Sequence, residues 1–488
     1  MKKEFNYKLI FRLQGSLLLV ESFFLLATFF VSLLYRETDA VYFLTTAILA
    51  LLLGVSGVFA GKNAPLAIGK REGSVIVTST WILFTLVGML PFWLSGNIAS
   101  FSDAFFETMS GFTTTGASVV TDVEALPRGM LFWRSLTHWM GGLGIIVISM
   151  ALLPIFGFSS VQIYSAEVTG PSKEKLHPKF SGTAKRLFGI YILFTAAETL
   201  LLCVSGMDRF DALCHSFSTV ATGGFSTKNA SIGHWDSPCI EFVVIAFMIL
   251  ASINFKLYYF LFVGKIRKVF SNEELRYYLI ILLTFTLIIT ATLIDFSNPA
   301  LESAGEAFRN SLFTVSSLIS TTGFYSVDYS SWAAVATILL LILMLIGGSA
   351  GSTAGGIKII RVLLVFKYCY YEFKRMIHPN AIFPVKYDGK IVREEIITRV
   401  LAYVLLYCFL AMAGSLILSL SGLGFQESVS SMISCLGNVG PGLGKLGPIE
   451  TYSSIPTFGK WFLSLVMLIG RLDLFTALII FTPVFWRK

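Results

Sequence analysis

The chain has 488 residues, of which 55% are hydrophobic, 14% aromatic and only 14% charged, with a formal net charge of +8. Soluble globular proteins carry about 25% charged residues, so roughly half that proportion argues against a soluble enzyme. The positive balance raises nucleic acid as a partner, and only the placement of the charges decides that question.

The apolar residues come in runs. Ser16–Leu34 and Val41–Phe59 are followed by Ser74–Leu94, Leu187–Val204, Leu279–Ile294 and Trp332–Ile346. Most are long enough, or nearly so, to cross a hydrocarbon core of about 30 Å as a helix. Lys2, Lys3, Lys8 and Arg12 precede the first run, as in a signal peptide. Its length, its internal Glu21 and the lack of a small-residue cleavage site make it a retained helix. Six scattered cysteines (Cys203, Cys214, Cys239, Cys369, Cys408, Cys435) form no CxxC pair and no Cys/His cluster. They read as buried small side chains, with neither a disulfide framework nor a zinc site.

After the second run the chain repeats. Each unit holds a long apolar helix, a short half-apolar segment opened by an acid, a Thr/Gly-rich turn and a second long helix. The turns are Thr113-Thr114-Thr115-Gly116, Ala221-Thr222-Gly223-Gly224, Ser320-Thr321-Thr322-Gly323 and Asn438-Val439-Gly440-Pro441. Taking Gly116, Gly223, Gly323 and Gly440 as central, the spacings are 107, 100 and 117 residues. The opening acids Asp103, Asp211 and Glu427 precede their glycines by 13, 12 and 13 residues, and Glu306 precedes its own by 17.

Segments such as Asp103–Gly111, Asp211–Ser218 and Glu427–Ser434 are too short to span. They suit re-entrant helices with an acid at the positive N-terminal end. Irregular backbone at membrane depth is tolerated only where it is buried in protein or lines a water-filled cavity. Four such turns therefore want to surround one axis. Glycine lets successive carbonyls aim inward, and a ring of carbonyls can replace the hydration shell of a monovalent cation. The expected fold is all-α and polytopic: two N-terminal helices (residues 1–73) and four pseudo-symmetric units (74–160, 161–264, 265–392 and 393–488), about ten transmembrane helices in all.

The third unit's second helix is interrupted by Gly347-Gly348-Ser349-Ala350-Gly351-Ser352-Thr353-Ala354-Gly355-Gly356. Each glycine inside a helix costs about 1 kcal/mol, so five in ten positions oppose continuous helix. A phosphate-binding loop needs Gly-Lys-[Ser/Thr], and Ile357 separates Gly356 from Lys358. A close-packed small-residue helix contact is the competing reading. The preferred one is a flexible loop beneath the filter that blocks the pore and moves aside. Arg471, midway along the final apolar span Phe458–Pro483, would add a cationic barrier there, since a cation near the bilayer centre should face water or a partner. Asp473, two residues on, points to a different side of the helix and cannot be its partner. Glu21 and Glu198 read as packing or lipid-interface groups.

Lys and Arg alternate between loops. The N-terminus, the loop with Lys62, Lys70 and Arg71, the segment with Lys173, Lys175, Lys179, Lys185 and Arg186, the segment from Lys265 to Arg276, the segment Lys358–Arg393 and the terminal Arg487-Lys488 hold 26 of the 37. The opposite loops hold eight: Arg36, Arg128, Arg134, Arg209, Lys228, Arg309, Lys445 and Lys460. This is the positive-inside bias, which puts both termini in the cytoplasm and leaves nucleic acid as a poor explanation.

The array resembles the Trk/Ktr/HKT superfamily of potassium transporters. The likeness covers nearly the whole chain and includes His215–Thr227, Gly347–Arg361, Gly437–Gly444 and Gly470–Thr476. By that resemblance Thr114, Thr115, Ala221, Thr222, Thr321, Thr322, Asn438 and Val439 supply filter carbonyls, with Gly116, Gly223, Gly323 and Gly440 as the filter glycines. Gly347, Gly348, Gly351, Gly355, Gly356 and Arg471 form the gate. Serine at the first glycine position tends to accompany sodium permeation in the superfamily, and glycine at all four reads as potassium-selective. Ala221 and the threonine-free fourth turn depart from the pattern. The resemblance further implies K+ uptake across the inner (cytoplasmic) membrane, a homodimer, no cofactor in this chain, and a separate cytosolic partner of the TrkA type that carries the nucleotide or NAD. Channel-like flux and K+/H+ or K+/Na+ symport both stay open. An organic-solute transporter is disfavoured because four equivalent turns replace the expected paired breaks. A membrane-embedded enzyme is disfavoured because His138, His177, His215, His234 and His378 fall in or near loops and no acid–base cluster lies in the apolar runs.

Overall fold

The structure, a computed structural model, describes residues 5–64, 70–151, 177–295 and 303–486. Lys2, Lys3, Lys173, Lys175, Arg487 and Lys488 of the charge count, and the boundary between residues 160 and 161, lie outside the described residues. Described secondary structure is helical apart from one two-stranded hairpin, Lys386–Tyr387 with Lys390–Ile391. Among the described residues six helices are long and apolar enough to cross a membrane: Tyr7–Leu34, Ala40–Ala60, Arg71–Leu94, Lys185–Val204, Glu273–Ile294 and Glu394–Leu420. Four further spans bring the count to about ten, none of them a single straight helix that meets that test. Arg128–Ala151 is more polar, Pro238–Ser252 bends by 95° into Phe255–Phe262, Ala334–Ile346 breaks before Ile359–Ile377, and Thr457–Leu472 is short.

The first two helices, α1 (Tyr7–Leu34) and α2 (Ala40–Ala60), pack through glycines. A Cβ on Gly15 would lie 2.6 Å from the Gly54 carbonyl and 2.7 Å from the Val58 nitrogen, and one on Gly57 would lie 2.9 Å from the Phe11 carbonyl. In lipid no hydrophobic force drives helices together, so close backbone approach through small residues supplies the contact. The outward faces stay apolar, with Phe23, Phe30, Leu52 and Leu416 exposed where acyl chains belong.

Between the spans lie four half-length helices: α3 (Phe101–Phe112), α4 (Arg209–Val220), α5 (Ala304–Ile319) and α6 (Phe425–Gly437). Each carries its acid, Asp103, Asp211, Glu306 or Glu427, in the first turn, where the helix dipole favours negative charge. The α5 helix is 16 residues long against 12 for α3 and α4, which explains the longer interval after Glu306.

Several expectations need correction. Arg134 and Lys460 are not loop cations: they lie buried in helices and pair with Glu107 and Asp103, each at 2.8 Å. His138 is buried inside Arg128–Ala151 rather than near a loop. Of the two readings of Glu21 and Glu198, packing fits and the lipid interface does not, since both are fully buried. Of the cysteines only Cys214 and Cys435 are buried, and Cys239, Cys369 and Cys408 are exposed. The final span is not continuous: Asp473, at φ 73°, separates Thr457–Leu472 from Leu474–Leu478, so Arg471 sits in the last turn of a helix.

Gly15→Leu forces its side chain into the α2 backbone. Its thermal unfolding midpoint in detergent should fall by several degrees, whereas a leucine at the open Gly189 position should leave it unchanged.

Candidate functional site

All four half-length helices end alike. The Thr114 N–H donates to the Gly111 carbonyl and the Thr115 N–H to the Ser110 carbonyl. The same pair of bonds recurs at Thr222/Gly223, Thr321/Thr322 and Asn438/Val439. This is the Schellman closure, which needs a left-handed residue just past the helix and normally takes glycine there. Here the residues are Thr114, Thr222, Thr321 and Asn438, at φ 51°, 55°, 58° and 54°. A β-branched side chain in that region is a true outlier, costing of order 1–3 kcal/mol and persisting only where surroundings over-determine it. Three strained threonines at equivalent positions mark the turns as built for something other than helix termination.

Two residues further on comes a glycine with positive φ: Gly116 at 82°, Gly224 at 83°, Gly323 at 82° and Gly440 at 106°. The second unit's equivalent is therefore Gly224, not Gly223, and Ala221 is the helix cap, matching Thr113 and Ser320. With that register the intervals from Asp103, Asp211 and Glu427 to their glycines are all 13 residues. Gly223 instead takes the place of Thr115, Thr322 and Val439, and lies with its Cα against the His138 ring.

These glycines bring the four turns together. A Cβ on Gly116 would strike the Gly223 carbonyl oxygen, one on Gly224 that of Thr322, and one on Gly323 that of Val439. A Cβ on Gly440 would lie 2.6 Å from the Thr115 carbonyl oxygen, which closes the circle. Each glycine thus touches the peptide oxygen just before the next unit's glycine. The four backbones surround one axis, at a separation that only hydrogen side chains permit. All four glycines line one cavity of about 110 Å³, shared with Ala117 and Tyr325.

The ring is braced from behind. Asn438 donates to Thr115 Oγ1 at 2.9 Å and to the Met467 carbonyl at 3.0 Å, tying the fourth turn to the first and to the Thr457–Leu472 helix. Glu107 of α3 accepts the Val119 N–H at 2.8 Å and pairs with Arg134, which also donates to the Ser226 carbonyl and covers the Phe225 ring at 4.0 Å. One buried ion pair therefore holds the chain emerging from both the first and second turns. His138, one turn along the same helix, stacks on Phe225 at 4.1 Å. Glu107, Arg134 and His138 were missed in the sequence, although Arg134 and His138 stand at i, i+4 in an apolar stretch.

The glycine-rich segment is a buried loop directly beneath. The helix stops at Ile346, Gly347 adopts φ 70°, and Ile357 and Lys358 return to bond the Leu345 and Ile346 carbonyls at 3.0 and 2.9 Å. The Gly355 N–H donates to Thr321 Oγ1 at 2.6 Å, and Thr353 Oγ1 donates at 3.1 Å to the carbonyl of Val220, the last residue of α4. A Cβ on Gly355 would strike the Gly437 carbonyl, and one on Gly348 the Ala354 side chain 2.6 Å away. Gly347 and Gly356 abut one another, while Gly351 faces Asn254. Arg471 Nη1 donates to the Thr353 carbonyl at 2.8 Å, and its Nε and Nη2 find no partner among the described residues. Lys358 Nζ holds the neighbouring Ala354 carbonyl. Asp473 pairs with Arg361 at 2.9 Å. The loop, Arg471 and the four turns thus form one assembly, and among the described residues no group of three His, Cys, Asp or Glu side chains could hold a metal.

A family model described as TrkH, a cation transport protein, matches residues 40–488. The chain is 37% identical to the Trk system potassium uptake protein TrkH of Escherichia coli K12 over 99% of its own length and 100% of that protein's. It is 33% identical to the potassium uptake protein TrkG of the same organism, with 99% of each chain covered. The crystal structure of the potassium transporter TrkH from Vibrio parahaemolyticus superposes with a TM-score of 0.89 at 34% identity, covering 99% of this chain and 100% of that one. These relatives are transport proteins, not enzymes. The chain, a multi-pass membrane protein with four helical turns closed around one axis, belongs to the TrkH family of cation transport proteins.

Proposed function

We propose that the protein takes up K+ across the inner membrane through the ring of turns. Thr114, Thr115, Thr222, Gly223, Thr321, Thr322, Asn438 and Val439 line the passage, and Gly116, Gly224, Gly323 and Gly440 permit it. The closed circle of glycine-to-carbonyl contacts is the observation that carries this reading. Peptide oxygens crowding one axis can replace an ion's water without introducing a fixed charge. The four half-helices point their C-terminal, negative ends at the same place, which favours a cation over an anion. The names of the relatives supply the ion.

Orientation follows from the charge bias: both termini in the cytoplasm, the cavity above the turns facing outward, and the Gly347–Gly356 loop on the inner side of the filter. The loop blocks the path, and Arg471, bonded to the loop's Thr353 carbonyl, adds a positive charge there. A cation there raises the barrier to another cation, and a guanidinium that bonds described residues through one of its three nitrogens has little there to hold it when the loop shifts. A homodimer with a TrkA-type cytosolic ring completes the assembly, and that ring would pull on the broken helix.

Two substitutions test the reading in proteoliposomes. Gly224→Ser puts a side chain against the Thr322 oxygen, so rubidium uptake should vanish or sodium should compete with it. An unchanged K+/Na+ preference removes Gly224 from the filter. Arg471→Ala should raise rubidium flux in the absence of any partner protein, with selectivity kept, and flux equal to the parent's would show that Arg471 is no barrier.

A further inference from the structure

A second acid is built into the loop's underside. Ala350, at the loop's turn, donates its N–H to Glu274 Oε1 at 2.6 Å. Glu274 is 1% exposed, and its other oxygen has no partner among the described residues. The Ile360 N–H and the Lys358 ammonium also face this carboxylate, and the short Ala350 bond is the one that ties it to the loop's turn, so the acid is held by its donor and holds that donor in turn.

Glu274 belongs to the first turn of Glu273–Asp295, and this turn is fixed from outside the membrane. The hairpin residue Asp388 accepts the Glu273 N–H at 2.8 Å and the Asn272 side-chain amide at 3.1 Å. Lys367 bonds the Glu273 carboxylate and, at 2.8 Å, the Lys386 carbonyl. Asp388-Gly389, at φ 46° and 76°, makes the two-residue turn that closes such hairpins. The hairpin's inward residues Val385, Tyr387 and Val392 pack in one apolar cluster with Ile360, Leu364 and Ala350 itself. Ala350 is thus held twice, through its N–H by Glu274 and through its methyl in the apolar cluster that the hairpin joins.

We infer that Glu274 is a positioning residue of the gate, and that the 385–392 hairpin sets its place through Asp388. Shifting the hairpin moves the cap of the Glu273–Asp295 helix, and with it the acceptor that keeps Ala350 and the loop seated. The inference rests on the reading of the loop as the gate, and it adds the element through which a cytoplasmic load reaches it.

Rubidium flux into proteoliposomes, without a partner protein, tests it. Glu274→Ala removes the acceptor and should raise flux about tenfold or more, the scale expected for loss of a hydrogen bond to a charged group, with the K+/Na+ preference unchanged. Glu274→Gln keeps an acceptor oxygen in place and should stay within about threefold of the parent. Asp388→Ala should raise flux in the same direction by a smaller factor, and it decides the matter if Glu274→Ala does not fold. Raised flux in Arg471→Ala beside parental flux in folded Glu274→Ala, or in Asp388→Ala where Glu274→Ala does not fold, overturns the inference and leaves the gate standing. Parental flux in Arg471→Ala and in these variants alike overturns the gate itself. Equal gains in Glu274→Ala and Glu274→Gln would show that the carboxylate's charge, not its position, holds the loop, and would likewise overturn the positioning role.

Discussion

The molecule is organised by one close approach: four peptide oxygens, those of Thr115, Gly223, Thr322 and Val439, each lying where the preceding unit's glycine has no side chain. A single methyl at any of these glycines would push two units apart. Because the contacts form a circle, a displacement in one turn cannot be absorbed by its neighbours without moving all four. This explains why the turns are strained as well as close. Threonine in the left-handed region is costly, and it stays there because the Schellman bonds behind it and the neighbouring unit in front leave no alternative.

Such a ring needs support that does not reach the axis, and the buried polar groups around it provide that. Breaking a buried pair by removing one partner typically costs 3–5 kcal/mol, so the Glu107–Arg134 pair is an expensive way to hold two loops. It is also a rigid one. The guanidinium's fixed fork reaches Glu107, Ser118 and the Ser226 carbonyl together, which no apolar side chain could do. Lys460–Asp103 and Arg309–Glu241 brace the first and third half-helices in the same manner, at 2.8 and 3.1 Å.

Much of this was legible in the sequence, because membrane physics makes it so. Runs of apolar residues announce spans, and short polar segments between them have no stable home unless they gather. The four acids opening the half-helices read correctly, since the dipole rule is local. The register of the second turn did not. Ala221-Thr222-Gly223-Gly224 offers two glycines, and the choice between them depends on which backbone meets a neighbour, a tertiary fact. The 13-residue interval from the acid was the available signal, and it favours Gly224. The break at Asp473 was hidden for a different reason. No glycine or proline marks it; an aspartate holds positive φ there and pairs with Arg361, 112 residues away in sequence. Arg134 and His138 were misplaced because composition cannot tell a loop cation from one that is buried and paired.

The distribution of buried charge also separates two kinds of constraint. Around the turns, cations meet carboxylates: Arg134 with Glu107, Lys460 with Asp103 and Arg309 with Glu241. Beneath them, Arg471 and Lys358 donate to backbone carbonyls of the loop, those of Thr353 and Ala354, and among the described residues neither forms an ion pair, although Glu274 and Asp473 lie close enough to attract Lys358. A carbonyl is a weaker partner for a buried cation than a carboxylate, so these contacts exchange more readily for water or for another cation. The upper layer is therefore fixed and the lower one poised, and the boundary falls where Gly355 and Thr353 touch the ends of the half-helices. A protein that must keep one geometry constant while moving the segment directly under it has reason to divide its electrostatics in this way.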